Sequence, residues 1–390
     1  MEVELITVAM AGRPLKKYMS DKLAFTATAS SPPLTPTVTL DSALVAKIEA
    51  AISQTMKIYQ IPGLSIGIIK DGQVAYTKGF GLAEVDTDRA VTPETVFQLA
   101  SESKMMVGIA IMQLKERGKI DLDAPVTDYL PYFRLADERY KEITLRQLLS
   151  HRAGLPYSTG YTLDYQSPQY DKETLERHVR NLAGVELRSA PGEKMQYSDL
   201  AFEILGDVIA KVSGQSFEAY TQEYIFVPLG MQHTSFMVRD ITPELLAAPH
   251  ESDGLQPKIH SFFPYSRQHA PSSHLFSNVE DMSRFALAQL NQGQLGETKI
   301  LPATAYGEMW TAQGDTNLPS QWEKEVGLGW FLGGQEGHRL VGHGGLDIGF
   351  GCGFIMAPDD GLAVMVMTNQ RYSAEDFSYQ VMEWLLEVEE

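Results

Sequence analysis

Phe97-Gln98-Leu99-Ala100-Ser101-Glu102-Ser103-Lys104 runs without a break into Met105-Met106-Val107-Gly108-Ile109-Ala110-Ile111-Met112. The second half is apolar on every side, which predicts a buried helix over 101–117 rather than an amphipathic one. Ser101 and Lys104 stand three apart at its start, and that spacing puts both side chains on one helix face. A lysine in the first turn of a buried helix is costly to keep charged, since full burial lowers an amine's pKa by up to about 3–5 units. Beside a serine hydroxyl it is a general base next to a nucleophile. Ser-x-x-Lys alone arises by chance in many chains, and a serine there also serves as a plain helix cap. Its meaning depends on what the rest of the chain supplies.

The 390 residues are 44% hydrophobic and 21% charged, ordinary values for a globular protein with ample material for a core. A net charge of −18 argues against nucleic acid or an anionic membrane surface as partner. No apolar run reaches the roughly 20 residues a membrane span needs. Glu2 and Glu4 stand where a secretory signal would carry Lys or Arg. They favour a cytoplasmic over a periplasmic or secreted location. Cys352 is the single cysteine, which excludes an internal disulfide and reads as a small buried hydrophobe. Nothing in the pattern calls for a metal or cofactor: Gly349-Phe350-Gly351-Cys352-Gly353 lacks the following helix of a phosphate loop.

Outward from the Ser101 stretch, residues 1–40 read as a flexible leader, with Thr26 to Val38 rich in Ser, Thr and Pro. Leu44, Ile48, Ile52 and Met56 have helical spacing over 41–59. Residues 63–70 and 74–80, joined by Asp71-Gly72, read as a β-hairpin. The middle of the chain is mostly helical, with helices over 145–150, 172–184, 200–212, 216–226 and 279–290 and a polar loop over 157–171. Strand patterns return at 328–333, 339–342, 351–356 and 362–369, before an amphipathic helix over 374–388. Strands at both ends and helices between predict an α+β fold. One antiparallel sheet forms from 41–100 and 320–390, flanked by helices, and 101–319 is an inserted, mostly helical subdomain with Ser101 at the boundary.

Two more signals join Ser101 and Lys104: Tyr197-Ser198-Asp199 in a turn before a helix, about ninety residues on, and Gly342-His343-Gly344-Gly345 on a terminal strand. Leu148-Leu149-Ser150-His151-Arg152-Ala153-Gly154-Leu155, Pro191-Gly192 and Gly349-Phe350 accompany them. In this order the motifs resemble those of the class C β-lactamase-like serine hydrolases, the group that includes penicillin-binding proteins, D-aminopeptidases and family VIII carboxylesterases. The resemblance runs from about residue 42 to the end and implies the same two-part fold. It also implies roles: Ser101 as the acylated nucleophile, Lys104 as proton acceptor or electrostatic partner, Tyr197 as base or proton shuttle. The backbone N–H groups of Ser101 and Leu346 would form the oxyanion hole. Asp199, His343, Gly344, Gly345 and Tyr161 would line the substrate site, with His151 and Arg152 bracing a loop behind it.

Two departures from the family pattern bear on chemistry. Asp199 stands where Asn is common, and an ionised carboxylate cannot donate to a substrate amide. Its charge also opposes desolvation of Lys104, which points to an ammonium that acidifies Tyr197 and makes the phenolate the base. His343-Gly344-Gly345 replaces Lys-Thr-Gly, removing a fixed cation and a hydroxyl, which favours neutral esters over anionic β-lactams and peptides. The expectation is a serine hydrolase working through an acyl-enzyme on short-chain esters, with weak β-lactamase activity. The alternatives are a D-amino-acid peptidase or amidase and, from another class, a non-catalytic penicillin-sensing scaffold. The partner expected is a small ester or amide, in a chain that is free to form a homo-oligomer.

Overall fold

The computed structural model describes residues 34, 36–252, 254 and 256–387, with the side chains of 161–163 left aside. Most of the leader read from the sequence lies outside these residues. Its last part does not stand apart from the fold: Thr37 N donates to Val74 O at 3.0 Å and Leu40 is buried.

Helix α1 (Ser42–Tyr59) starts where the Asp41 carboxylate accepts from Ala43 N and Leu44 N. Strands β1 (Gly63–Lys70) and β2 (Gln73–Glu84) form the hairpin. Asp71 and Gly72 have φ of 54° and 62°, the left-handed pair that a tight two-residue hairpin turn requires. After β3 (Arg89–Ala90) the chain leaves the sheet and returns only at β4 (Gly314–Asp315) and β5 (Glu325–Val326). Then follow β6 (Phe331–Gln335), β7 (His338–Asp347), β8 (Phe350–Ala357) and β9 (Leu362–Thr368). The nine strands run β4-β5-β6-β7-β8-β9-β1-β2-β3, all antiparallel. The two ends of the chain meet where β1 pairs with β9, Leu64 opposite Thr368.

Period-two alternation divides the sheet's side chains between two cores. Leu64, Ile66, Ile68, Val364 and Val366 pack with Leu44, Ile48 and Ile52 of α1 and with Phe377 and Val381 of the closing helix Ala374–Glu387. Ile69, Met365 and Met367 face the opposite way, into the core of the helical insertion. That core is built around α2 (Ser103–Glu116), in which every residue from Ser103 to Leu114 is buried. Gly108 permits the close crossing, since a Cβ there would meet Leu328 O at 2.8 Å. Beside it lie α3 (Asp199–Ser213), capped by Ser198, and α4 (Val279–Leu290), capped by Asn278.

The structure refines several expectations. The sheet takes up chain from residue 314, earlier than 320. The strand pattern at 339–342 and the Gly342–Gly345 motif placed on a terminal strand are one strand, 338–347, whose glycine-rich half is fully paired with β8 although it carries little β propensity. The polar loop at 157–171 contains a helix, Tyr161–Gln166, which a polar sequence without periodicity concealed. No helix among the described residues is long and apolar enough to cross a membrane.

Candidate functional site

Ser101 lies in a 3₁₀ turn, Ala100–Glu102, just ahead of α2 rather than in its first turn. Ala100 has a φ of 39°, a conformation that costs a residue with a Cβ about 1–3 kcal/mol and persists only where neighbours enforce it. Here Ser103 Oγ donates to Ala100 O at 2.6 Å and accepts from Leu275 N at 2.9 Å, while Glu102 N donates to Leu99 O. The turn leaves Ser101 part-exposed in an otherwise buried run.

Lys104 is wholly buried. Its Nζ lies 3.0 Å from Ser101 Oγ, 2.7 Å from the Ser272 carbonyl and 2.6 Å from Asp199 Oδ1. Three oxygens fit either protonation state. An ammonium donates to Ser101 and Ser272 and pairs its charge with Asp199; a neutral amine still donates to Ser272 and accepts from the serine hydroxyl. Burial pulls the Lys104 pKa down; Asp199 first, then Glu203 and Asp347, oppose it without cancelling it.

Tyr197 stands in the turn before α3, its ring stacked on His151 at 4.3 Å between centroids, with Lys104 Nζ 4.9 Å from its own centroid. Protein packed around it and the Asp199 charge push its phenol well above the ordinary value, and its hydrogen bond with Ser101 only partly offsets this. The expected phenolate is thus disfavoured. Asp199 pairs with Lys104 and at the same time repels a second negative charge on Tyr197, so the neutral phenol is the resting form. His151 accepts from Ser198 N through Nδ1 and is held neutral by burial and by Lys104, which suits a brace for this turn. Arg152 ties the same segment to Gly192 O.

On the other wall, β7 alternates its faces. His343 turns toward Tyr197 and Phe331, with ring centroids 6.2 and 4.9 Å away. Its Nδ1 donates to Gly344 O at 2.6 Å, leaving Nε2 as a buried acceptor without a partner among the described residues. Burial and Lys104 hold its pKa near 3, so the imidazole is neutral. Gly344 faces away: a Cβ there would meet Glu375 Oε2 at 1.9 Å, behind the sheet. Gly345 faces the nucleophile, and a Cβ there would lie 2.9 Å from Ser101 N and 2.8 Å from Leu99 O. This contact brings the β7 backbone against the Ser101 N–H, with Leu346 next along the strand. Cys352, opposite Gly345, is buried and donates from Sγ to Leu99 O. Tyr161 begins the Tyr161–Gln166 helix; its side chain lies outside the described residues.

Several residues at this site carried no sequence signal. Asp347 follows Leu346 and accepts from Gln98 Nε2 at 2.9 Å and Tyr165 OH at 3.0 Å. Burial pushes its carboxyl up to about 7. Ser272, which supplies the carbonyl to Lys104, lies in a short helical turn, Ala270–Ser273, within the stretch before α4 that reads as irregular from the sequence. Glu203, His178 and His269 gather donor atoms within 4.8 Å of one another beneath Lys104 and are the one group among the described residues with metal-type donors so placed. Asp199 and Glu203, four apart on one helix, were the only part of this a spacing rule could have caught.

The Beta-lactamase family model matches residues 48–388. Protein flp of Staphylococcus aureus (strain MW2) is 28% identical over 324 residues, 83% of this chain and 62% of that protein. Esterase EstB of Burkholderia gladioli is 34% identical over 239 residues, 57% of this chain and 59% of its own. The chain thus spans less than two thirds of the length of these relatives. The octameric penicillin-binding protein homologue from Pyrococcus abyssi superposes with a TM-score of 0.77 at 27% identity, covering 88% of this chain and 77% of that one. The match takes in both contributions to the sheet and the helical insertion between them, and the chain belongs to the Beta-lactamase family.

Proposed function

We propose that this chain is a serine hydrolase that forms an acyl-enzyme at Ser101 and acts on short-chain carboxylic esters. One observation carries the reading: a part-exposed serine hydroxyl 3.0 Å from a wholly buried lysine amine, itself held by a carboxylate and a carbonyl. In acylation, the Lys104 amine takes the Ser101 proton as Oγ attacks the ester carbonyl. The developing oxyanion is met by the backbone N–H of Ser101 and of Leu346, each such donor worth roughly 3–4 kcal/mol. The Tyr197 phenol gives its proton to the departing alkoxide and regains one from Lys104, so the alcohol leaves neutral. Water then repeats the sequence on the acyl-enzyme and releases the acid.

The choice of esters rests on β7. A neutral imidazole at 343 offers no fixed cation to a substrate carboxylate, and the likeness to an esterase points the same way. The likeness to a penicillin-binding protein homologue favours a second reading, a D-amino-acid peptidase or amidase. Rates on p-nitrophenyl esters of two to twelve carbons, D-alanine p-nitroanilide and a chromogenic cephalosporin separate the two. The C2–C6 esters are expected to be cleaved at least about 100-fold faster than the others, a difference of about 2.7 kcal/mol in transition-state stabilisation. Faster cleavage of the anilide than of every ester would make the peptidase reading the correct one.

A further inference from the structure

Helix α3 presents three buried carboxylates at one-turn spacing, Asp199, Glu203 and Asp207, and only Asp199 touches Lys104. Glu203, one turn on, reaches the same amine indirectly. Its Oε1 accepts from Ser272 Oγ at 3.1 Å, and the carbonyl of that same Ser272 accepts from Lys104 Nζ at 2.7 Å. Glu203 is in turn fixed on both oxygens: His269 Nδ1 lies 2.7 Å from Oε1 and His178 Nε2 lies 2.6 Å from Oε2. On its far side His269 Nε2 stands 3.0 Å from Asp164 Oδ2, on the Tyr161–Gln166 helix. Gln268 Nε2 also stands 3.1 Å from that nitrogen, but a carboxylate at each ring nitrogen favours the imidazolium, which donates to both. Burial works against that charge, but Glu203 and Asp164 hold the His269 pKa at about 9.

Two histidines and a glutamate are also zinc ligands. Around a tetrahedral zinc, however, donors bound at about 2.0–2.2 Å stand about 3.3–3.6 Å from one another. Contacts of 2.6 and 2.7 Å between nitrogen and oxygen are direct hydrogen bonds with no space for an ion between them.

We propose that Glu203 is a positioning residue for the Ser101–Lys104 pair: through the Ser272 hydroxyl it holds the Ser272 carbonyl on Lys104 Nζ, and His178 and His269 hold Glu203. The inference rests on the reading of Lys104 as the base for Ser101. It has a directional consequence. The groups facing Lys104 are Asp199 and Glu203 from α3, His343 and Asp347 from β7, Tyr197 from the turn before α3, and His151 from the segment after the Leu145–Leu149 helix. The carbonyl and the Glu203 charge both favour the ammonium. Loosening them lets Lys104 lose its proton at lower pH, while the amine is less well placed to receive the serine proton.

The test is the pH dependence of p-nitrophenyl butyrate hydrolysis by wild type, Glu203→Gln and Ser272→Ala, the last removing the hydroxyl link to Glu203 and with it the contacts of Ser272 Oγ to His269 O and Ser273 Oγ. Expected for Glu203→Gln are a fall in kcat of about tenfold, KM within about twofold, and an acid limb of kcat/KM moved to lower pH by about half a unit or more. Ser272→Ala should move kcat and the limb in the same directions by less, and it decides the matter if Glu203→Gln fails to fold. An unmoved acid limb in the folded variants, with wild type still labelled at Ser101 by a fluorophosphonate, overturns the inference alone. Absence of a Ser101 adduct in wild type overturns the acyl-enzyme reading and the inference with it. One equivalent of zinc in purified wild type, lost in Glu203→Gln, would show a metal centre in place of the network.

Discussion

Lys104→Met is expected to lower stability by about 3–5 kcal/mol and kcat/KM by about 10⁴-fold or more. Methionine fills much of the same space, so the loss is not a cavity effect. It arises because Asp199, buried and 2.6 Å from the missing amine, keeps a charge with no partner. The Ser272 carbonyl loses its donor as well. A second substitution separates the two losses. Lys104→Met combined with Asp199→Asn removes the stranded charge and should recover most of the stability, since a buried ion pair replaced as a unit costs little. It should recover none of the activity, because no base remains beside Ser101. Urea denaturation midpoints and p-nitrophenyl butyrate kinetics on the three proteins check this. Equal stability of the single and double variants would mean that the pair is not a charge pair.

Gly345→Ala is the second substitution with a large expected effect. The added methyl would sit 2.6 Å from Cys352 Sγ, 2.8 Å from Leu99 O and 2.9 Å from Ser101 N, all closer than real carbon contacts. Two of these are backbone atoms that no rotamer change can move. Strand β7 must therefore shift away from the Ser101 turn, taking the Leu346 N–H with it. Displacing one oxyanion donor is expected to lower kcat by about 10²–10³-fold, and forcing a methyl into packed space to cost about 1–3 kcal/mol. Steady-state kinetics and thermal melting measure the two. Full activity in a folded Gly345→Ala protein would show that Leu346 contributes no oxyanion donor.

Much of the architecture was legible because local and global signals agreed. The Asp71-Gly72 turn, the Leu44-Ile48-Ile52 stripe and the all-round apolar run after Lys104 each admitted one reading, and the sheet joins the chain ends as the strand–helix–strand order implied. The β7 strand was harder to delimit because His343-Gly344-Gly345 has low strand propensity. Its glycines are there for close approach, one to Glu375 and one to Ser101, which only the tertiary structure reveals. The site divided in the same way. Ser101, Lys104 and Tyr197 sit in recognisable motifs, whereas Ser272, His269 and Asp347 act through backbone carbonyls or buried hydrogen bonds that leave no pattern in the sequence. The state of Tyr197 was misjudged for a physical reason. The lysine's proximity to a phenol was visible, but the Asp199 charge and the packing that outweigh it depend on three-dimensional distance.

Treating the protein with a fluorophosphonate or with penicillin and mapping the adduct by mass spectrometry tests the central claim most directly. A single stoichiometric adduct at Ser101 is expected with the fluorophosphonate, none in Ser101→Ala, and loss of ester hydrolysis in that variant. An adduct on another residue, or undiminished hydrolysis by Ser101→Ala, would contradict it.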